Sequence, residues 1–185
     1  FNAYKPFACG IVIHPSIDAC AQLREQGVKP EDVTRIDLRV HPLVLELTGK
    51  KTPQDGLQGK FSVYHGCAVG LIFGRAGEEE FSDHIVRRED VVTLRDKVNA
   101  VVDPSVREES VYVTAHLKDG RTVDVHVEHA IGSLQRPMTD AMLERKFHDL
   151  ADPILGAERS KQIIQACWNL SKAANLKDLL ALLKP

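Results

Sequence analysis

From Val33 to Val40 apolar and polar residues alternate, with Ile36, Leu38 and Val40 set against Arg35, Asp37 and Arg39. A period of two predicts a strand with one dry face and one wet face. Residues 110–117 and 121–130 repeat the alternation on either side of Asp119-Gly120, which predicts a hairpin. On its second strand Val123, Val125 and Val127 share one side, and Asp124, His126 and Glu128 the other. Elsewhere the period lengthens. Ile17, Cys20, Ala21 and Leu23 recur at helical spacing after Pro15, a residue favoured in a first helical turn, so a helix is expected over 15–26, ended by Gly27. Residues 43–47 predict a short helix, and 50–56, with Pro53 and Asp55-Gly56, a loop. Residues 64–73 are apolar and rich in Gly66, Ala68 and Gly70, which favours a closely packed buried helix, with a strand as the alternative. Short helices are expected at 78–85 and 89–98, the second leading into 99–102.

After Gly132 the pattern is helical throughout. Thr139 can cap a helix to about residue 151, 157–173 form a second, and Asn175 can cap a third to 183. Leu176, Leu179, Leu180, Leu182 and Leu183 make that last helix strongly apolar for its length. The expected class is therefore α+β: a small antiparallel sheet with covering helices, then a helical C-terminal extension.

Composition narrows the partners. The 185 residues are 43% hydrophobic and 27% charged, the balance of a soluble globular protein. With 24 basic against 26 acidic residues there is no broad positive field, which argues against nucleic acid and against acidic membrane surfaces. No apolar run approaches the roughly 20 residues of a membrane span, and no signal peptide is visible, so a cytoplasmic location is expected. Cys9, Cys20, Cys67 and Cys167 share no C-x-x-C spacing and read as reduced thiols.

Two segments carry the chemistry: Lys5-Pro6-Phe7-Ala8-Cys9 running on to His14, and Lys60-Phe61-Ser62-Val63-Tyr64-His65. Taking a proton from a carbon beside a carboxylate puts a second negative charge next to the first, so ammonium groups must meet it and a titratable ring or phenol must move the proton. Lys5, Lys60, His14 and Tyr64 are of those types. Ser62 lacks a G-x-S-x-G setting and reads as a local hydrogen-bonding residue, and His65 as a packing residue. His126 and His129 stand three apart on a strand, where side chains point to opposite sides, so a metal pair is not expected. Glu78-Glu79-Glu80 and Arg87-Arg88 read as solvated surface, and Phe147 and Trp168 as core.

These segments, with Asp119-Gly120 in a hairpin and Pro137-Met138-Thr139-Asp140 leading to Lys146-Phe147, resemble the C-terminal part of the MmgE/PrpD family, whose members dehydrate, decarboxylate or epimerise small carboxylic acids. The resemblance implies a cofactor-free, metal-free acid/base site between an all-helical domain and an inserted α+β lid. It makes residues 1–135 the lid domain and 136–185 a helical segment of the otherwise absent helical domain. It also implies a missing N-terminal helical domain that supplies further catalytic groups, and a homodimer. Lys5 opening a motif so near the first residue fits the C-terminal piece of something longer, inactive alone. By the same resemblance Lys5, His14 and Tyr64 are the catalytic candidates, and Lys5, Lys60 and Tyr64 bind the substrate. Where the decarboxylase branch carries a histidine five residues after the motif lysine, this chain has Gly10. The implied function is a hydro-lyase of a small di- or tricarboxylic acid such as 2-methylcitrate. The rivals are epimerisation or decarboxylation of a similar acid, or a non-catalytic carboxylate-binding or dimerisation module.

Overall fold

The computed structural model describes residues 3–184 and divides into two compact units, Phe1–Pro137 and Met138–Pro185. In the first, a 3-10 turn at Ile11–Ile13 leads into α1 (His14–Glu25), with Pro15 in its first turn. β1 (Val33–Val40) follows, then α2 (Pro42–Thr48), the single turn α3 (Gly56–Gly59), α4 (Val63–Phe73), α5 (Asp83–Val86) and α6 (Glu89–Arg95). The unit continues with β2 (Val98–Val102), β3 (Val111–Leu117) and β4 (Thr122–Val127).

The strands form one sheet in the order β2-β1-β3-β4. β1–β3 and β3–β4 are antiparallel, with Val40 opposite Val111 and Val111 opposite Val127. β1–β2 is parallel, with Ile36 opposite Val98 and Val40 opposite Val102. The sheet is therefore mixed and four-stranded, which corrects the expectation of a purely antiparallel one. Residues 99–102 escape notice because β2 is a short edge strand on which only Val98 is buried, and its parallel pairing depends on a crossover through α2 to α6 that leaves no local trace.

One sheet face is apolar: Ile36, Leu38, Val40, Val111, Val113, Ala115, Val125 and Val127 are all buried. α1 and α4 cover it, α1 lying on β3 and β4 and α4 meeting β2. Each large aliphatic side chain fully removed from water there contributes about 1.5–3 kcal/mol. Residues 64–73 are helical rather than extended, and their glycines explain how that helix packs. A methyl added at Gly66 would lie 3.0 Å from Ile17 Cγ1, and one at Gly70 only 2.8 Å from the Ile17 carbonyl oxygen. Close approach of α1 offsets the roughly 1 kcal/mol helix cost of each glycine. Because Ile13 and Ile17 meet Gly66 while Ile17 and Cys20 meet Gly70, the two helices run parallel and begin at the same end.

The ends of this unit are joined. Tyr4 N–H donates to the Gly132 carbonyl at 2.9 Å, and Gly132 N–H to the Arg136 carbonyl at 2.8 Å. Asp18, buried on α1, accepts from Ile131 N–H at 2.9 Å and from the Arg136 guanidinium. Gly132 has φ +90°, and a Cβ there would fall 2.3 Å from the Tyr4 oxygen, so only glycine fits.

The second unit consists of α7 (Asp140–Leu155), α8 (Ala157–Trp168) and α9 (Lys177–Leu182). Thr139 caps α7, its Oγ1 accepting from Met142 N–H at 3.3 Å, whereas α9 is capped at Leu176, and Asn175, one residue earlier, accepts from Lys177 N–H at 2.9 Å. α8 stops short of residue 173, giving way to a 3-10 turn at Leu170–Lys172. Trp168 is not core: it is 52% exposed, and its indole N–H donates to Glu144 at 2.6 Å. Phe147 is half-buried. All four cysteines are free thiols. Among the described residues no helix is long and apolar enough to cross a membrane.

Candidate functional site

The shared starting end of α1 and α4 gathers the predicted chemistry. The segment before α1 is irregular, bending over residues 7–9, and is held by backbone bonds: Ala8 N–H donates to the Ala76 carbonyl at 2.9 Å, and Gly10 N–H to the Lys60 carbonyl at 3.1 Å. Lys5 lies on the exposed part of this segment, while Cys9 is buried. Burial pushes the Cys9 thiol up to about 12, against the positive fields of Lys5 and Lys60. The Gly10–Lys60 backbone bond thus sets the segment that carries Lys5 alongside the turn that carries Lys60.

Lys60 caps the C-terminal end of α3, and its Nζ pairs with Glu78 at 2.6 Å. Four residues on, Tyr64 sits in the first turn of α4 and is only 4% exposed. Burial raises its phenol above the ordinary value, and Cys67 adds to the effect. It remains a protonated donor at neutral pH. Ser62 Oγ caps α4 by accepting from His65 N–H at 3.2 Å, the local bond expected of it. His14 opens the parallel helix α1. It is buried, with its ring edge-to-face against Phe7 at 5.2 Å, and so stands behind the Lys5 segment rather than at its surface.

Several residues of this region were not legible as site residues. Lys51, in the loop before α3, holds its ammonium 5.7 Å from the centre of the Tyr64 ring. The backbone bridge between Gly49 and Ser62 brings its segment alongside, and its sequence signal was only the pair Lys50-Lys51 in a loop. Glu80 corrects the reading of 78–80 as solvated surface. Only 2% exposed, it accepts from Arg75 Nε and Gly77 N–H, both at 2.8 Å. Its carbonyl bonds to His65 Nε2 at 2.9 Å. These contacts shape the turn that offers Ala76 to Ala8 and Glu78 to Lys60. His65 is fully buried, as a packing residue should be, and burial holds its imidazole down to about 4, with Arg95 adding and the Glu80 bond opposing. His126 stacks on Tyr112 with ring centres 4.0 Å apart, on the wet face of the sheet.

The end of the unit where α1 and α4 begin therefore offers cations suited to a carboxylate, a buried phenol, and a carboxylate, Glu78, already paired with Lys60. The profile of the MmgE/PrpD C-terminal domain matches residues 7–170. The chain belongs to the MmgE/PrpD family. It is 25% identical over 126 residues to a 2-methylcitrate dehydratase of Escherichia coli, covering 62% of this chain and 26% of that protein. To a cis-aconitate decarboxylase-like protein of Aspergillus oryzae it is 24% identical over 138 residues, 72% of this chain and 28% of the other. To a cis-aconitate decarboxylase of Aspergillus terreus it is 24% identical over 197 aligned positions, 97% of this chain and 40% of the other. The chain thus spans between about a quarter and two-fifths of the length of these relatives.

Proposed function

We propose that this chain is the C-terminal part of an MmgE/PrpD hydro-lyase that removes water from a small di- or tricarboxylic acid, with 2-methylcitrate the first candidate. The observation that supports the reading is the Gly10–Lys60 backbone bond, which joins the segment carrying Lys5 to the turn that leads from Lys60 to the buried phenol of Tyr64. Lys5 and Lys60 neutralise substrate carboxylates, so that the charge developing on the adjacent carbon as its proton leaves is stabilised. A base on the helical polypeptide beyond this chain takes the C–H proton, the C–H electron pair becomes the new double bond, the C–OH bond breaks, and Tyr64 gives its proton to the departing hydroxyl, which leaves as water. His14 supports proton transfer from the start of α1. Further acid and base groups come from helical polypeptide beyond this chain, which residues 136–185 join while residues 1–135 act as the lid. The assembled enzyme works as a cytoplasmic homodimer.

Decarboxylation is the second reading, favoured by the relatives named for it. Against it stands Gly10, where a Cβ would already lie 3.2 Å from Thr48 Cγ2 and 3.6 Å from the Lys60 carbonyl oxygen. A side chain there would have to shift the Thr48 methyl by a few tenths of an ångström. The test is to incubate the full-length protein with 2-methylcitrate, citrate and cis-aconitate, following the ultraviolet absorbance of a new conjugated double bond and the release of carbon dioxide. Absorbance gain without carbon dioxide is expected; carbon dioxide from cis-aconitate would replace the first reading by the second.

A further inference from the structure

Lys51 stands beside the proposed site with its charge uncommitted. Its ammonium rests 5.7 Å from the Tyr64 ring centre, and it makes no ion pair among the described residues. The Gly49–Ser62 bridge places it: Lys51 comes two residues after one bridge partner and Tyr64 two after the other. Lys60, two residues before Ser62, is paired with Glu78, and Lys60 shares the field around Cys9 with Lys5. In the proposed site Lys5 and Lys60 take two carboxylates, and the Lys51 ammonium faces the Tyr64 ring.

We propose that Lys51 is a further substrate-binding residue that selects acids bearing a third carboxylate. Attraction of an exposed ammonium to a ring face is weak, whereas an ammonium–carboxylate hydrogen bond is strong, so a third carboxylate draws Lys51 off the ring. Until then the ring keeps the ammonium poised beside the phenol, which limits the side-chain freedom lost on binding. The inference rests on the proposed site and assigns one residue to one substrate feature.

Calorimetric titration of the full-length protein with citrate and with malate tests it without requiring turnover. Lys51→Ala should weaken citrate binding about tenfold, the loss of one charge-assisted hydrogen bond, and leave malate within about twofold. Lys51→Arg, which keeps the charge, should retain citrate within about threefold of the unaltered protein, and Lys50→Ala should change neither acid. Equal losses for both acids, no loss for citrate, or the same loss from Lys50→Ala would overturn the assignment. If Lys5→Ala and Lys60→Ala leave citrate binding intact, the site itself is wrong, an outcome separate from failure at Lys51.

Discussion

The first unit closes a large apolar core over its sheet, and the second displays most of its large apolar residues. In the first, the dry faces of β1, β3 and β4 lie under α1 and α4, and Ile13, Ile17, Leu23, Ile36 and Leu38 are all at most 1% exposed. In the second, Ala151, Ser160 and Ile163 are buried, whereas Ile154, Leu176, Leu180 and Leu183 lie open. A strand's alternation and its cover arise within one unit. An amphipathic helix names a face without naming what covers it. In the proposed reading, that cover is the helical polypeptide of the longer protein.

Three experiments test this contrast. The largest effect belongs to the site on the self-contained unit: in the full-length protein Lys5→Ala and Tyr64→Phe should each lower kcat by about 10²- to 10³-fold, measured as initial rates on the turned-over acid. Unchanged kinetics in either removes that residue from the site. Next comes the core. His65 has its folded pKa depressed to about 4, whereas an unfolded histidine titrates near 6.5. The unfolded chain therefore takes up the proton first as pH falls. The stabilisation is complete above about pH 7, declines below it, and is lost by roughly 3 kcal/mol at pH 4. Urea unfolding across that window should show the decline, and His65→Gln should flatten it; an equally steep curve in the variant would place the proton elsewhere. The smallest effect separates the units most cleanly. Gly70→Ala, which forces a methyl against the Ile17 carbonyl, should destabilise the chain by about 1–3 kcal/mol. Leu180→Ser on the open face of α9 should stay within about 0.5 kcal/mol. A larger cost at Leu180 would mean that the second unit has its own closed core.

The sequence revealed most where pattern and structure are both local. The hairpin around Asp119-Gly120, the helix after Pro15 and the cap at Thr139 lie where spacing and turn chemistry put them. β2 did not show, because five residues with one buried side chain carry no readable period and their partner is distant. Glu80 was misread because a run of three acids suggests solvent, and nothing in the run tells that Arg75, the Gly77 amide and His65 close around the third. Lys5, Lys60 and Tyr64 stood out by residue type and motif. Lys51 did not, since its place follows from a single backbone bridge between Gly49 and Ser62.

The bond from Tyr4 to Gly132, only 2.9 Å long, makes entry and exit of the first unit neighbours. Such a unit is a closed loop of polypeptide, able to hang from one surface turn of a host without stretching it. In the proposed reading, that arrangement lets the lid be exchanged as a cassette while the helical polypeptide that carries it keeps its path. Replacing Gly132 by any residue with a side chain would spread those two attachment points apart.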